Sequence, residues 1–136
     1  MGYVTRFEDL RAWQRARELM NLVYRASDDR PFARDFAMKN QIRSAALSVM
    51  SNIAEGFDRN RNPEFLYLLR VAKASCGEVR SQAYAAFDQT YLTDEALQSL
   101  LAKTAQVSGA IRRLHESIER KLPGTRHAAP GTEKCS

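Results

Sequence analysis

Residues able to carry chemistry are sparse in this sequence, and they do not converge. Asn52 and Glu55 stand in the stretch NIAEG, Asn52 to Gly56, where polar groups crowd an apolar helical face. A carboxamide buried there must find partners, so its first reading is an interhelical or intersubunit hydrogen bond that fixes register, ahead of a ligand contact. Glu55 precedes Arg59 by four residues, the favourable order for a helical ion pair. His115 has Glu119 one turn on, but His127 lies far off in the C-terminal segment, so no metal site is expected. Cys76 sits among apolar residues with no histidine near it in sequence, which favours packing over nucleophilic catalysis. Gly77 and Gly109 are isolated within helical surroundings, unlike a glycine-rich phosphate cradle that follows a strand. The sequence therefore reads as a protein with no catalytic constellation, no metal and no cofactor.

The elements that must position these residues are helices. Apolar residues recur at spacings of three and four, and no alternating pattern competes with them. The first helix is predicted from about Asp9 to Ala26, with Leu10, Trp13, Ala16, Met20, Val23 and Tyr24 on one face; Thr5 with Glu8, or Asp9, is the expected cap. The second is predicted from about Ala33 to Phe57, with a core stripe of Ile42, Ala45, Ala46, Val49, Ile53 and Phe57. Gly56 near its end marks either a close helix contact or an approaching cap. The third opens with Asn62 as cap and Pro63 at its first position, and continues to about Gln89. Thr93 caps the fourth, which carries Leu97, Leu100, Leu101, Thr104, Val107, Ile111, Leu114 and Ile118 until Pro123 and Gly124 stop it.

Short connections between such helices predict an all-α, up-down-up-down four-helix bundle over residues 1–122. Residues 123–136, polar and rich in Pro and Gly, are expected to form a disordered tail. At 136 residues the chain is sized for one core without disulfides, and Cys76 and Cys135 are not expected to pair. No apolar run has the length of a membrane span or a secretory leader, so a cytoplasmic protein is expected.

Helix 3 has more apolar surface than one core uses. Tyr67, Val71 and Ala74 lie opposite its core stripe, and Leu47, Met50 and Ala54 form a second stripe on helix 2. A contiguous second apolar face predicts self-association through these residues. Charge points elsewhere. The net charge of +5 is compatible with an anionic partner and equally with solubility alone. In an up-down-up-down bundle Arg6, Arg11, Arg59, Arg61, Arg120 and Lys121 gather at one end, with Glu8, Asp9, Asp58, Glu64 and Glu119 near them.

The segment QIRSAALSVMSNIAEGFDR, Gln41 to Arg59, closely resembles the signature of the four-helix-bundle proteins encoded in intervening sequences of bacterial large-subunit ribosomal RNA genes. Phe7 to Tyr24 and Phe65 to Gln82 are similar to that family's first and third helices, whereas helix 4 matches in pattern only. Ala74 stands before Ser75 where the family commonly has glycine. The resemblance implies a cyclic homopentamer without catalytic activity. A more distant relative, the accessory variability determinant of diversity-generating retroelements, binds nucleic acid and a reverse transcriptase. Five copies at +5 each would carry roughly +25 and repeat any basic patch around a ring. The functional expectation is an oligomeric bundle that contacts RNA or DNA, foremost structured RNA, through the basic end and without base-specific readout. The alternative is a scaffolding oligomer whose partner is another protein.

Overall fold

The computed structural model describes residues 4–122 of the chain; the expected tail, residues 123–136, lies outside them. Four helices follow in order: α1 (Arg11–Ala26), α2 (Phe36–Asp58), α3 (Asn62–Asp88) and α4 (Asp94–Glu119). Short 3₁₀ turns at Phe7–Asp9 and Phe32–Arg34 precede the first two, and among the described residues there is no strand.

Local chemistry explains where the helices begin and end. The Thr93 hydroxyl accepts from the Ala96 N–H at 3.0 Å, which caps α4 as its sequence predicts. α2 starts three residues later than expected because Asp35 takes the cap: its carboxylate accepts from the Met38 N–H at 3.1 Å and from the Tyr91 hydroxyl at 2.8 Å. Those two bonds, the backbone one foremost, hold the Asp35 carboxyl below its usual range. α1 also starts later, at Arg11, and neither Thr5 nor Asp9 caps it; Leu10 occupies the cap position without a side-chain bond. Apolar anchoring holds the chain there instead, with the Phe7 and Trp13 rings 5.2 Å apart and Leu10 buried. α3 begins at Asn62 itself with Arg61 at the cap position, and Pro63 falls in the first turn, where its missing N–H is harmless. α2 and α3 end on left-handed residues, Asn60 (φ 57°) and Thr90 (φ 63°). After α3 the Tyr91 N–H reaches the Ala86 carbonyl and the Thr90 N–H the Phe87 carbonyl, both at 2.9 Å, the paired bonds of a Schellman turn.

Each helix packs on the two nearest to it around a square: α1 on α2, α2 on α3, α3 on α4 and α4 on α1. With short connections this is an up-down-up-down bundle. The shared core contains Leu19, Ile42, Ile53, Leu69, Leu100 and Ile111, all less than 2% exposed. The buried face of α1 runs through Ala12, Ala16, Leu19 and Val23, while Trp13, Met20 and Tyr24 are only half-buried. That rotation from the expected stripe arises because α1 must contact both α2 and α4.

α2 packs tightly on α3 at Gly56. A methyl group there would meet the Phe65 ring at 2.7 Å and Leu68 Cβ at 3.2 Å. Gly56 is thus a close-approach residue and not a cap, since α2 continues to Asp58. α1 and α4 are tied by Lys103, whose ammonium donates to Glu18 Oε1 at 2.7 Å. That bond is the main reason the Glu18 carboxyl lies below its usual range.

Candidate functional site

The antiparallel order brings the N-terminal segment, the α2–α3 loop and the end of α4 to one end of the bundle. Arg61 and Lys121 line an open cleft of about 700 Å³ there, with Thr5, Asp58, Asn60 and Ser117. The arginines of the loop are already engaged. Arg59 binds Glu55 at 2.6 Å and approaches Glu64 at 3.8 Å, and Arg61 is 3.9 Å from the same Glu64. Arg6 sits 3.7 Å from both Glu8 and Asp9. Arg11, Arg120 and Lys121 are exposed and make no ion pair among the described residues. Arg11 stands apart from the cleft, over the α1–α4 seam beside Arg113 and Leu114. Of the six basic residues singled out in the sequence, three are therefore partly neutralised and three are free to meet an anion.

Asn52 is half-buried between α2 and α3. Its amide donates to the Ser48 carbonyl at 2.8 Å and to Ser48 Oγ at 3.0 Å, and Ser48 Oγ shares a 2.9 Å hydrogen bond with Ser75 Oγ of α3. The result is a polar tie across the α2–α3 seam. Glu55, one turn on, is exposed and bound to Arg59.

The six apolar residues assigned to subunit contacts divide into two patches. Arg43 reaches α1, donating from Nε to Ser27 Oγ at 2.7 Å and from Nη2 to the Tyr24 carbonyl at 3.3 Å. Leu47, Met50 and Ala54 follow Arg43 by 4, 7 and 11 residues, so their stripe lies on the α1 side of α2. Tyr67, Val71 and Ala74 lie on α3, whose Ser75 faces α2, and so belong to the other flank. Leu47 is 40% and Tyr67 58% exposed, and Ala74 is exposed. Val71 and Ala54 are half-buried, and Met50 packs against the core.

Two arginines that sequence reasoning did not single out, Arg43 and Arg70, take part in contacts between helices. Arg43 covers the C-terminal end of α1, with its guanidinium 4.3 Å over the Tyr24 ring and 3.8 Å from Asp28. Nothing in its own segment marks it, because its partners lie across a turn. At the α3–α4 groove Arg70 Nη1 is 3.4 Å from His115 Nε2. Arginine only donates, so this nitrogen accepts, and the proton of the neutral ring is on Nδ1, facing Glu119 at 3.8 Å. Burial holds His115 below the ordinary histidine range; Arg70 and Lys73 push it the same way, against Glu119 and Glu116. Burial likewise pushes the Cys76 thiol up to about 11, and its Sγ lies 3.4 Å from the Thr104 carbonyl. Cys76 is a packed thiol and not a nucleophile. No group of three or more His, Cys, Asp or Glu that could hold a metal occurs among the described residues, and none of their helices is long and apolar enough to cross a membrane.

Comparison with known proteins agrees with this architecture. A solved structure of a protein with unknown function from the S23 ribosomal protein family of Bacteroides thetaiotaomicron superposes with a TM-score of 0.71. The alignment covers 77% of this chain and 95% of that one, at 17% sequence identity, so the likeness is one of fold. No curated protein matches the sequence. Residues 8–113 match the family model described as 23S rRNA-intervening sequence protein. With most of the bundle, α1 through the first 20 of the 26 residues of α4, inside that match, the chain belongs to the 23S rRNA-intervening sequence protein family.

Proposed function

We propose that this chain is a non-enzymatic, self-associating four-helix bundle that binds structured RNA by its phosphates, at the end where the α2–α3 loop meets the end of α4. The observation that carries the reading is the cleft of about 700 Å³ lined by Arg61 and Lys121, with Arg120 next to Lys121 in sequence at the exposed end of α4. Arg120 and Lys121 hold charge that no carboxylate among the described residues neutralises, so an anion can bind them without first displacing an internal partner. Arg59 and Arg61 contribute less, because Glu55 and Glu64 compete for them. Self-association is supported by the exposure of Tyr67 and Leu47, and it would repeat the cleft in every subunit.

The test is equilibrium binding of a folded RNA hairpin across a salt series. Each phosphate neutralised releases counterions, so a slope of log affinity against log salt of several units is expected. Replacing Arg120 and Lys121 by Ala should make that slope shallower by about 1–2 units, more than the Arg59→Ala, Arg61→Ala pair does. Absence of RNA binding, with a protein recovered alongside the native chain, would replace this reading with a scaffold for a protein partner.

A further inference from the structure

The α3–α4 face carries a second set of cations, arranged differently from those at the bundle end. Arg70, Lys73, Arg80 and Tyr84 of α3 are spaced 3, 7 and 4 residues apart, with Gly77 between Lys73 and Arg80. That spacing returns to the same side of a helix, and from Arg70 to Arg80 it extends about 15 Å along the axis. Its first part faces α4, where Arg70 and Lys73 line a groove of about 300 Å³ with Arg112 and His115, and Arg80 and Tyr84 continue the row along the exposed side of α3.

Three features make this a track and not a solvated helix face. Of the two acids of the groove, Glu116 is engaged by Arg112 at 3.7 Å and Glu119 faces the neutral His115 ring at 3.8 Å, while Arg70, Lys73 and Arg80 make no ion pair among the described residues. The stretch between Lys73 and Arg80 is uncovered, since a side chain added at Gly77 would meet nothing within 4 Å. The row ends on Tyr84, 45% exposed. A line of free cations running to an exposed aromatic ring is how single-stranded nucleic acids are held: the cations follow the backbone and the ring stacks on a base. An acidic peptide would use the charges but has no planar base for Tyr84.

We infer that the α3–α4 face binds single-stranded nucleic acid, with Arg70, Lys73 and Arg80 on phosphates along the strand and Tyr84 stacked on a base. This goes beyond the bundle-end reading, using different residues and an unpaired strand. The probe is a fluorescently labelled oligouridylate of about 12 nucleotides, longer than the track so that it can cover every contact, followed by anisotropy on the full-length protein.

Replacing Lys73 and Arg80 by Ala should weaken binding roughly tenfold and make the salt slope shallower by about 1.4 units, the single-strand increment for two phosphates. Tyr84→Ala should weaken binding at least about fivefold and leave the slope unchanged, because stacking releases no counterions. The Arg120→Ala, Lys121→Ala pair should weaken oligonucleotide binding less than the Lys73→Ala, Arg80→Ala pair does. All these side chains are exposed, and helical circular dichroism should be the same in every variant. No oligonucleotide binding by the native chain, or native affinity in both groove variants, would overturn the inference. Loss of binding only in the Arg120 and Lys121 pair would place the strand at the bundle end, leaving the earlier reading intact and this one refuted. Displacement by polyglutamate, with Tyr84→Ala neutral, would assign the groove to an acidic protein instead. If the hairpin fails to bind but the oligouridylate behaves as expected, the groove stands without the bundle-end site.

Discussion

His115 is the residue whose environment is most clearly readable in a stability measurement. Burial lowers its folded pKa from the ordinary 6.5, with Arg70 and Lys73 acting in the same direction against Glu119 and Glu116. A histidine so lowered binds fewer protons in the fold than in the unfolded chain, so stability rises with pH across the window between its folded value and 6.5. Its contribution is fully present above that window and lost as pH falls through it. Going from about pH 7.5 to about pH 5.5, the native chain should lose more in melting temperature than His115→Gln. Equal losses in both proteins would show that His115 is not held neutral by the groove. The sequence showed a histidine with a glutamate one turn on; it could not show that Arg70, 45 residues away, is the nearer partner.

At the scale of the elements, the two glycines of α2 and α3 make opposite predictions. Gly56 packs directly against α3, and a methyl group there would collide with the buried Phe65 ring at 2.7 Å. Overpacking of this kind costs about 1–3 kcal/mol, against a helix-propensity gain of about 1 kcal/mol, so Gly56→Ala should destabilise by about 1 kcal/mol. Gly77 faces open space, and Gly77→Ala should stabilise by roughly 0.5–1 kcal/mol. Denaturant midpoints with an unchanged m-value would measure both. A destabilised Gly77→Ala would mean that this face is covered. Helix existence and type were legible from periodicity, and the start of α4 was legible because the Thr93 cap is a bond within one turn. The starts of α1 and α2 were not, since Leu10 is set by packing and Asp35 by a cap shared with Tyr91 from a distant loop.

For the whole molecule, the two exposed apolar patches give separate tests of assembly. Tyr67 and Leu47 touch little in the single chain, so a charge at either position should change monomer stability by less than about 0.5 kcal/mol. In an assembly that covers them, an unpaired buried carboxylate is costly, and Tyr67→Glu or Leu47→Glu should yield a smaller species in sedimentation velocity with unchanged helicity. Met50→Glu is a poorer probe, because Met50 packs against the core and the substitution would damage the fold itself. If only one of the two variants dissociates, its flank is the interface; if neither does, these patches are not the subunit contact.

The sequence by itself determined the all-α class, the four helices and the residue types at the core, because each follows from spacing within a few turns of one chain segment. The NIAEG stretch likewise announced a polar tie, although its partner Ser75 became visible only in the fold. Tertiary structure alone decided which arginines are free. Arg59 and Arg120 are both exposed basic residues just past a helix end, yet Arg59 meets Glu55 and Glu64, whereas Arg120 meets no carboxylate among the described residues. It alone also assembled the α3–α4 groove, since Lys73 and Arg112 are 39 residues apart and share a surface only because two antiparallel helices bring them together. Periodicity records which side of a helix a residue occupies. What stands opposite, and whether a charge finds an internal partner, depends on the packing of the other helices.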